Sequence, residues 1–141
     1  MSTKINIVLI LLISLIFGIF NFKVFFIGNK PTEIQGFISI SFVALWLLYG
    51  IMMSYKKPKY FLKFITFYWS IGLILTLISL YFQWFALTLP LSCIFLTPLY
   101  GLRYFFYDNN GNFFFIAIFI TYLSGVFGYF LGKKVRNKLT L

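Results

Sequence analysis

Apolar and polar positions fall into long blocks along this chain instead of alternating. Residues 5–27, 36–55, 60–82 and 113–132 are nearly unbroken runs of Ile, Leu, Phe, Val and Tyr. Each is close to the length a helix needs, at about 1.5 Å per residue, to cross about 30 Å of hydrocarbon. Short polar stretches separate the runs. In the first, Pro31 disfavours the helical region at Lys30 before it. The second holds Lys56, Lys57, Pro58 and Lys59, and Lys63 reaches back toward it. Asn21 and Lys23 lie near the end of the first run, where a lysine stem can rest along lipid while its head reaches water. The pattern predicts an all-α integral membrane protein, one polytopic domain over residues 1–141, with four clear spans.

A fifth apolar stretch, QWFALTLPLSCIFLTPLYGLRYFF at 83–106, is the ambiguous one. No charge occurs between Lys63 and Arg103, and two full crossings need about 40 residues plus a turn. Length alone therefore permits either four or five spans. Pro90 and Pro98 each remove a backbone donor and clash with the preceding turn, which disfavours a straight span.

Charge decides between the two threadings. With five spans, the basic residues divide evenly between the two sides. With four, Lys4, Lys56, Lys57, Lys59, Lys63, Lys133, Lys134, Arg136 and Lys138 share one side, against Lys23, Lys30 and Arg103 on the other. Positive loops resist translocation, so the four-span threading is expected, with both termini cytoplasmic in the cell membrane. The segment at 83–106 then becomes a proline-broken re-entrant or interfacial element between the third and fourth spans. Its backbone must be buried against protein, because bare carbonyls in hydrocarbon cost several kcal/mol each. The turn residues Asp108 to Asn112 follow it, with aromatic residues at 104–107 and 113–115 on either side that read as an interfacial belt.

Composition agrees with lipid as the solvent. Of 141 residues, 62% are hydrophobic and 10% charged, with a mean hydropathy of +0.97. A soluble domain of this size leaves most residues partly wet and could not hide that much apolar surface. The formal net charge of +10 would suggest nucleic acid in a soluble protein, but here it belongs to topology, and no nucleic-acid partner is expected. The tail cations gain about 1 kcal/mol each at an anionic leaflet. The first run starts as a signal peptide does, yet no small-x-small site follows it, so it reads as an uncleaved span. Abundant Ile, Phe, Asn, Lys and Tyr are the usage expected of an AT-rich bacterial genome.

The catalytic inventory is short. Histidine is absent, which removes most metal sites and the Ser-His and Cys-His nucleophile pairs. Cys93 stands alone, so no paired-thiol relay or internal disulfide is available. The only carboxylates are Glu33 and Asp108. No span carries an ionisable residue near its centre, where a proton-coupled carrier would need one. Small four-helix multidrug antiporters are similar in size, but their membrane-embedded glutamate has no counterpart here. No cofactor or metal is expected.

Two features remain as candidate sites. Ser124, Gly125, Gly128 and Gly132 form a small-residue face on the last span, suited to close helix approach within the monomer, in a homodimer or against a membrane-protein partner. Ser14 and Gly18 repeat the spacing once in the first span. Pro90, Ser92, Thr97, Pro98, Arg103, Asp108 and Glu33 gather at the outer side as a second candidate. Hydroxyls such as Ser41, Ser70, Thr76, Ser79 and Thr121 are expected to bond their own helix backbone. The expectation that follows is a non-enzymatic membrane component: an accessory subunit, an immunity-type protector or an assembly factor. A dimeric transporter or channel for small solutes or ions is the alternative, and a lipid-modifying enzyme using Asp108 or Glu33 is a third.

Overall fold

The computed structural model describes residues 3–56, 58–106 and 113–139. Within them the chain forms α1 (Thr3–Ile27), α2 (Glu33–Lys56), α3 (Pro58–Tyr81), α4 (Phe85–Phe95), α5 (Thr97–Tyr100), a 3-10 turn (Gly101–Tyr104) and α6 (Phe113–Leu139). Four of these helices, α1, α2, α3 and α6, are long and apolar enough to cross a membrane. The helices begin and end close to the expected bounds, with two differences, at the start of α2 and at the end of α6. α6 runs on past Gly132 through the basic tail to Leu139.

Local chemistry sets the ends of the first two helices. Gly28 takes the left-handed conformation (φ 76°), and the amides of Gly28 and Asn29 bond the carbonyls of Phe25 and Val24. That pair of bonds is a Schellman motif, which needs a residue without Cβ strain at this position. α2 opens on a capping box. The Gln35 amide donates to Thr32 Oγ1 at 3.4 Å, and the Thr32 amide donates back to Gln35 Oε1 at 2.9 Å. This box starts the helix at Glu33, three residues ahead of the expected position. At the opposite end of the bundle, Pro58 begins α3, a position where its missing N–H costs nothing.

Direction follows from contacts. α1 and α2 are antiparallel: Asn21 meets Ser39 near their shared turn, and Phe17 meets Phe42 farther in. α3 is antiparallel to α2, with Phe61 against Tyr49 and Trp69 against Trp46. α6 runs parallel to α2. Ser124 Oγ donates to the Val43 carbonyl, 81 residues away, and Arg136 Nη1 to the Ser54 carbonyl, 82 residues away. α2 and α6 form the most extensive helix pair in the fold.

The fifth apolar segment can now be traced. α3 finishes, and α6 starts, at the end of the bundle marked by Asn29. The chain between them therefore enters and leaves the bundle at the same end. Its deepest part reaches the middle of the neighbouring helices. The Cys93 carbonyl and Thr97 press against Gly18, and Phe95 against Gly72. From there the chain climbs alongside α1 and α2, through Pro98 beside Asn21 and Ser39, to Gly101 beside Gln35. α4 and the following piece are bent by 51° at Leu96. The cause is Pro98, which cannot donate to the carbonyl one turn back and crowds the preceding turn. Residues 95–102 are all buried, wedged among α1, α2 and α6.

The core is strongly aromatic. Trp46, Trp69, Tyr68 and Phe95 meet at centroid separations of 5.1–6.1 Å in tilted or edge-on geometries, the arrangements that ring quadrupoles favour.

Candidate functional site

The wedge holds a buried polar node. Asn21, Ser39 and Thr97 are all 0% exposed. Asn21 Nδ2 donates to Ser39 Oγ at 3.0 Å and to the Pro98 carbonyl at 3.5 Å, and Ser39 Oγ donates to the same carbonyl at 2.7 Å. Thr97 Oγ1 returns to the Cys93 carbonyl at 2.8 Å. One atom is left over: Asn21 Oδ1 is buried and meets no donor. An unsatisfied buried acceptor costs about 1–3 kcal/mol. Asn21 lies near the end of its span, as the sequence indicates, and its side chain points inward and ties α1 to α2 and to the broken segment.

Of the residues grouped beforehand as an outer site, the structure brings together only some. Ser92, Thr97 and Pro98 are buried in the wedge, while Pro90 is exposed on α4. Arg103 sits at the Asn29 end. Its guanidinium lies 5.8 Å over the Tyr100 ring and donates to Tyr100 Oη at 3.2 Å, and that hydroxyl donates to the Asn29 carbonyl at 2.9 Å. This chain closes the top of the wedge onto the α1–α2 turn. Glu33 heads α2 in its first turn, where a carboxylate complements the helix dipole. Asp108 lies outside the described residues, as does Lys57.

The small-residue face of α6 is used inside the monomer. A Cβ built at Gly128 would overlap the Leu47 carbonyl, and one at Gly132 would overlap Ser54 Oγ. Across the same seam, a Cβ at Gly50 would overlap the Gly125 carbonyl. Ser14 and Gly18 on α1 are likewise engaged, Ser14 with Tyr68 Oη at 3.2 Å and Gly18 with the broken segment. The hydroxyls of Ser41, Thr76 and Thr121 donate to carbonyls one turn back, at 2.7–2.9 Å. Lys56, Lys133, Lys134, Arg136 and Lys138 all lie at the end away from Asn29, as does the start of α3, where Lys59 falls.

Among the described residues, lateral grooves interrupt the apolar exterior. One of about 750 Å³ separates α3 from α6, lined by Thr66, Trp69, Ser70, Leu73, Phe119 and Tyr122 among others. Thr66 Oγ1 and Tyr122 Oη meet across it at 3.2 Å. Trp69 is 3% exposed, and its indole N–H has no partner. A second groove, of about 270 Å³, lies between α1 and α2. Among the described residues there is no cluster of three His, Cys, Asp or Glu side chains that would hold a metal.

Compared with known families, curated proteins and solved structures, the chain finds no match. Its functional reading rests on the geometry alone.

Proposed function

We propose that this chain is a non-enzymatic multi-pass membrane component that works by packing against a helix of another membrane protein, in the manner of an accessory subunit, a protector or an assembly factor. In this reading α1, α2, α3 and α6 cross the bilayer, and 83–106 dips in from the outer face without crossing. The end that gathers Lys56 and the basic tail faces the cytoplasm, as cationic loops do.

The groove between α3 and α6 carries the proposal. From Thr66 to Ile74 it runs for about 12 Å at 1.5 Å per residue. Its 750 Å³ then correspond to a cross-section of roughly 60 Å², about three quarters of the roughly 80 Å² of a helix 10 Å across, so a helix would seat most of its width in it. Hydroxyls of Thr66, Ser70 and Tyr122 lie along it, the residue types that bond across helix pairs in lipid. The face of α6 made for close approach is already occupied by α2, which leaves this flank as the place for a further helix.

Photo-crosslinking in intact membranes tests it. A crosslinker at Ile74 or Phe119 should give one discrete adduct with a different membrane protein, and a crosslinker at Ile16 on the outer face of α1 should give none. Equal, diffuse labelling at all three positions would remove the reading; an adduct of twice the chain's own mass would replace the partner by a second copy.

A second reading has its own observation. Asn21 Oδ1 lies without a donor beside a broken helix, the setting in which carriers hold a small solute or cation. Flux through liposomes containing the purified chain, abolished by Asn21→Leu, would favour that reading over the first.

A further inference from the structure

We infer that the groove between α1 and α2 is a binding site for one acyl chain of an anionic phospholipid from the leaflet at the Lys56 end. The inference rests on the four-span reading but not on the partner proposed above. α1 and α2 are held together near Asn29 by the Asn21–Ser39 bond and by the bond from Gln35 Nε2 to the Phe20 carbonyl at 3.3 Å. Toward the other end they separate. The Phe17–Phe42 ring pair, at 5.4 Å, closes the space at mid-depth. Below it lies the groove, with Ile10, Phe42 and Trp46 buried at its floor and Leu9, Leu48 and Met52 exposed at its lips.

Size identifies the occupant. Along α2 the groove runs from Phe42 to Met52, about 15 Å, which is half of a 30 Å hydrocarbon core and thus the depth of one leaflet. Its 270 Å³ over that length leave a cross-section on the order of 20 Å². A helix about 10 Å across needs roughly 80 Å² and does not fit; a single extended hydrocarbon chain does. The wall is apolar apart from Ser14 and Tyr49, and the Ser14 hydroxyl is already engaged by Tyr68. Such a wall suits methylene groups, and among the described residues the one buried polar atom beside it without a partner is the Tyr49 hydroxyl.

Charge identifies the headgroup. Met52 lies one turn from Lys56, in the last turn of α2 and on the same face of that helix. A chain seated in the groove therefore brings its phosphate to the mouth beside Lys56. Basic residues at an anionic leaflet attract such headgroups within a Debye length.

The test uses the full chain purified in mild detergent and incubated with phosphatidylglycerol or phosphatidylcholine of matched chains, with retained lipid counted by native mass spectrometry. The wild type should retain phosphatidylglycerol about fivefold over phosphatidylcholine, the factor expected for one basic contact. Lys56→Gln should bring the two lipids close to parity. Leu45→Trp, which sets a larger ring across the groove, should lower retention of both; Leu12→Trp, facing outward elsewhere on α1, should leave both unchanged. Equal retention by the wild type, or equal loss in Leu12→Trp and Leu45→Trp, would overturn the site. A second measurement does not depend on how Leu45→Trp folds. With Trp69 and Trp84 replaced by Phe, brominated acyl chains on phosphatidylglycerol should quench Trp46 more strongly than those on phosphatidylcholine, and equal quenching would also overturn it.

Discussion

At the scale of single residues, this fold depends on places where backbone meets backbone. Gly128 and Gly125 lie on the same helix, three residues apart, but their surroundings differ. A Cβ at Gly128 would strike the Leu47 main chain, which cannot move without shifting α2. A Cβ at Gly125 would meet only the terminal methyl of Ile65, which can rotate away. Gly128→Ala should therefore cost about 1–3 kcal/mol, as overpacking does, and Gly125→Ala less than half of that. Thermal unfolding in detergent would read the difference; equal losses would mean that the α2–α6 seam is softer than its geometry. Sequence reasoning marked this stripe but could not say which helix it faces. It puts Asn21 near the end of its span without assigning it a face, and the side chain is fully buried. The cause is physical: helices that are apolar on every side show no stripe to tell inward from outward positions.

At the scale of elements, the two prolines have opposite roles. Pro98 breaks the helix so that its own carbonyl can accept from both Asn21 and Ser39. Pro98→Ala would let the segment straighten and draw that carbonyl away, and lost interhelical bonds of this kind cost about 0.6–1.7 kcal/mol each. Pro90 lies inside α4 on an exposed face, where an interior proline costs up to about 3 kcal/mol of helix stability. Pro90→Ala should raise the unfolding temperature in detergent and Pro98→Ala should lower it. If both raise it, the bend serves no interaction in the wedge. Most of the elements were legible in the sequence because long apolar blocks and lysine-rich breaks are strong signals in lipid. The early start of α2 was also legible, in the capping box from Thr32 to Gln35, a signal that hydropathy alone passes over. The length of α6 was not, since a basic tail reads equally well as coil.

At the scale of the whole molecule, the course of 83–106 follows from where its neighbours begin and end. Charge bookkeeping favours a segment that does not cross, because an added crossing would carry four tail cations to the far side. Single cysteines introduced in a Cys93→Ser background check it. A membrane-impermeant maleimide applied from outside intact cells should label a cysteine at position 30 and spare one at position 134. Labelling at 134 would restore the five-span threading. The parallel register of α2 with α6 has a further consequence, in the order of assembly. The partners in that seam are separated by 81 residues or more, so α2, α3 and the broken segment leave the ribosome before α6 exists. Until α6 arrives, the Leu47 and Gly50 side of α2 stands uncovered. The α2–α6 seam therefore cannot close until α6 has been made, and a ribosome that stalls before Phe113 releases a protein whose most extensive helix pair has no second half.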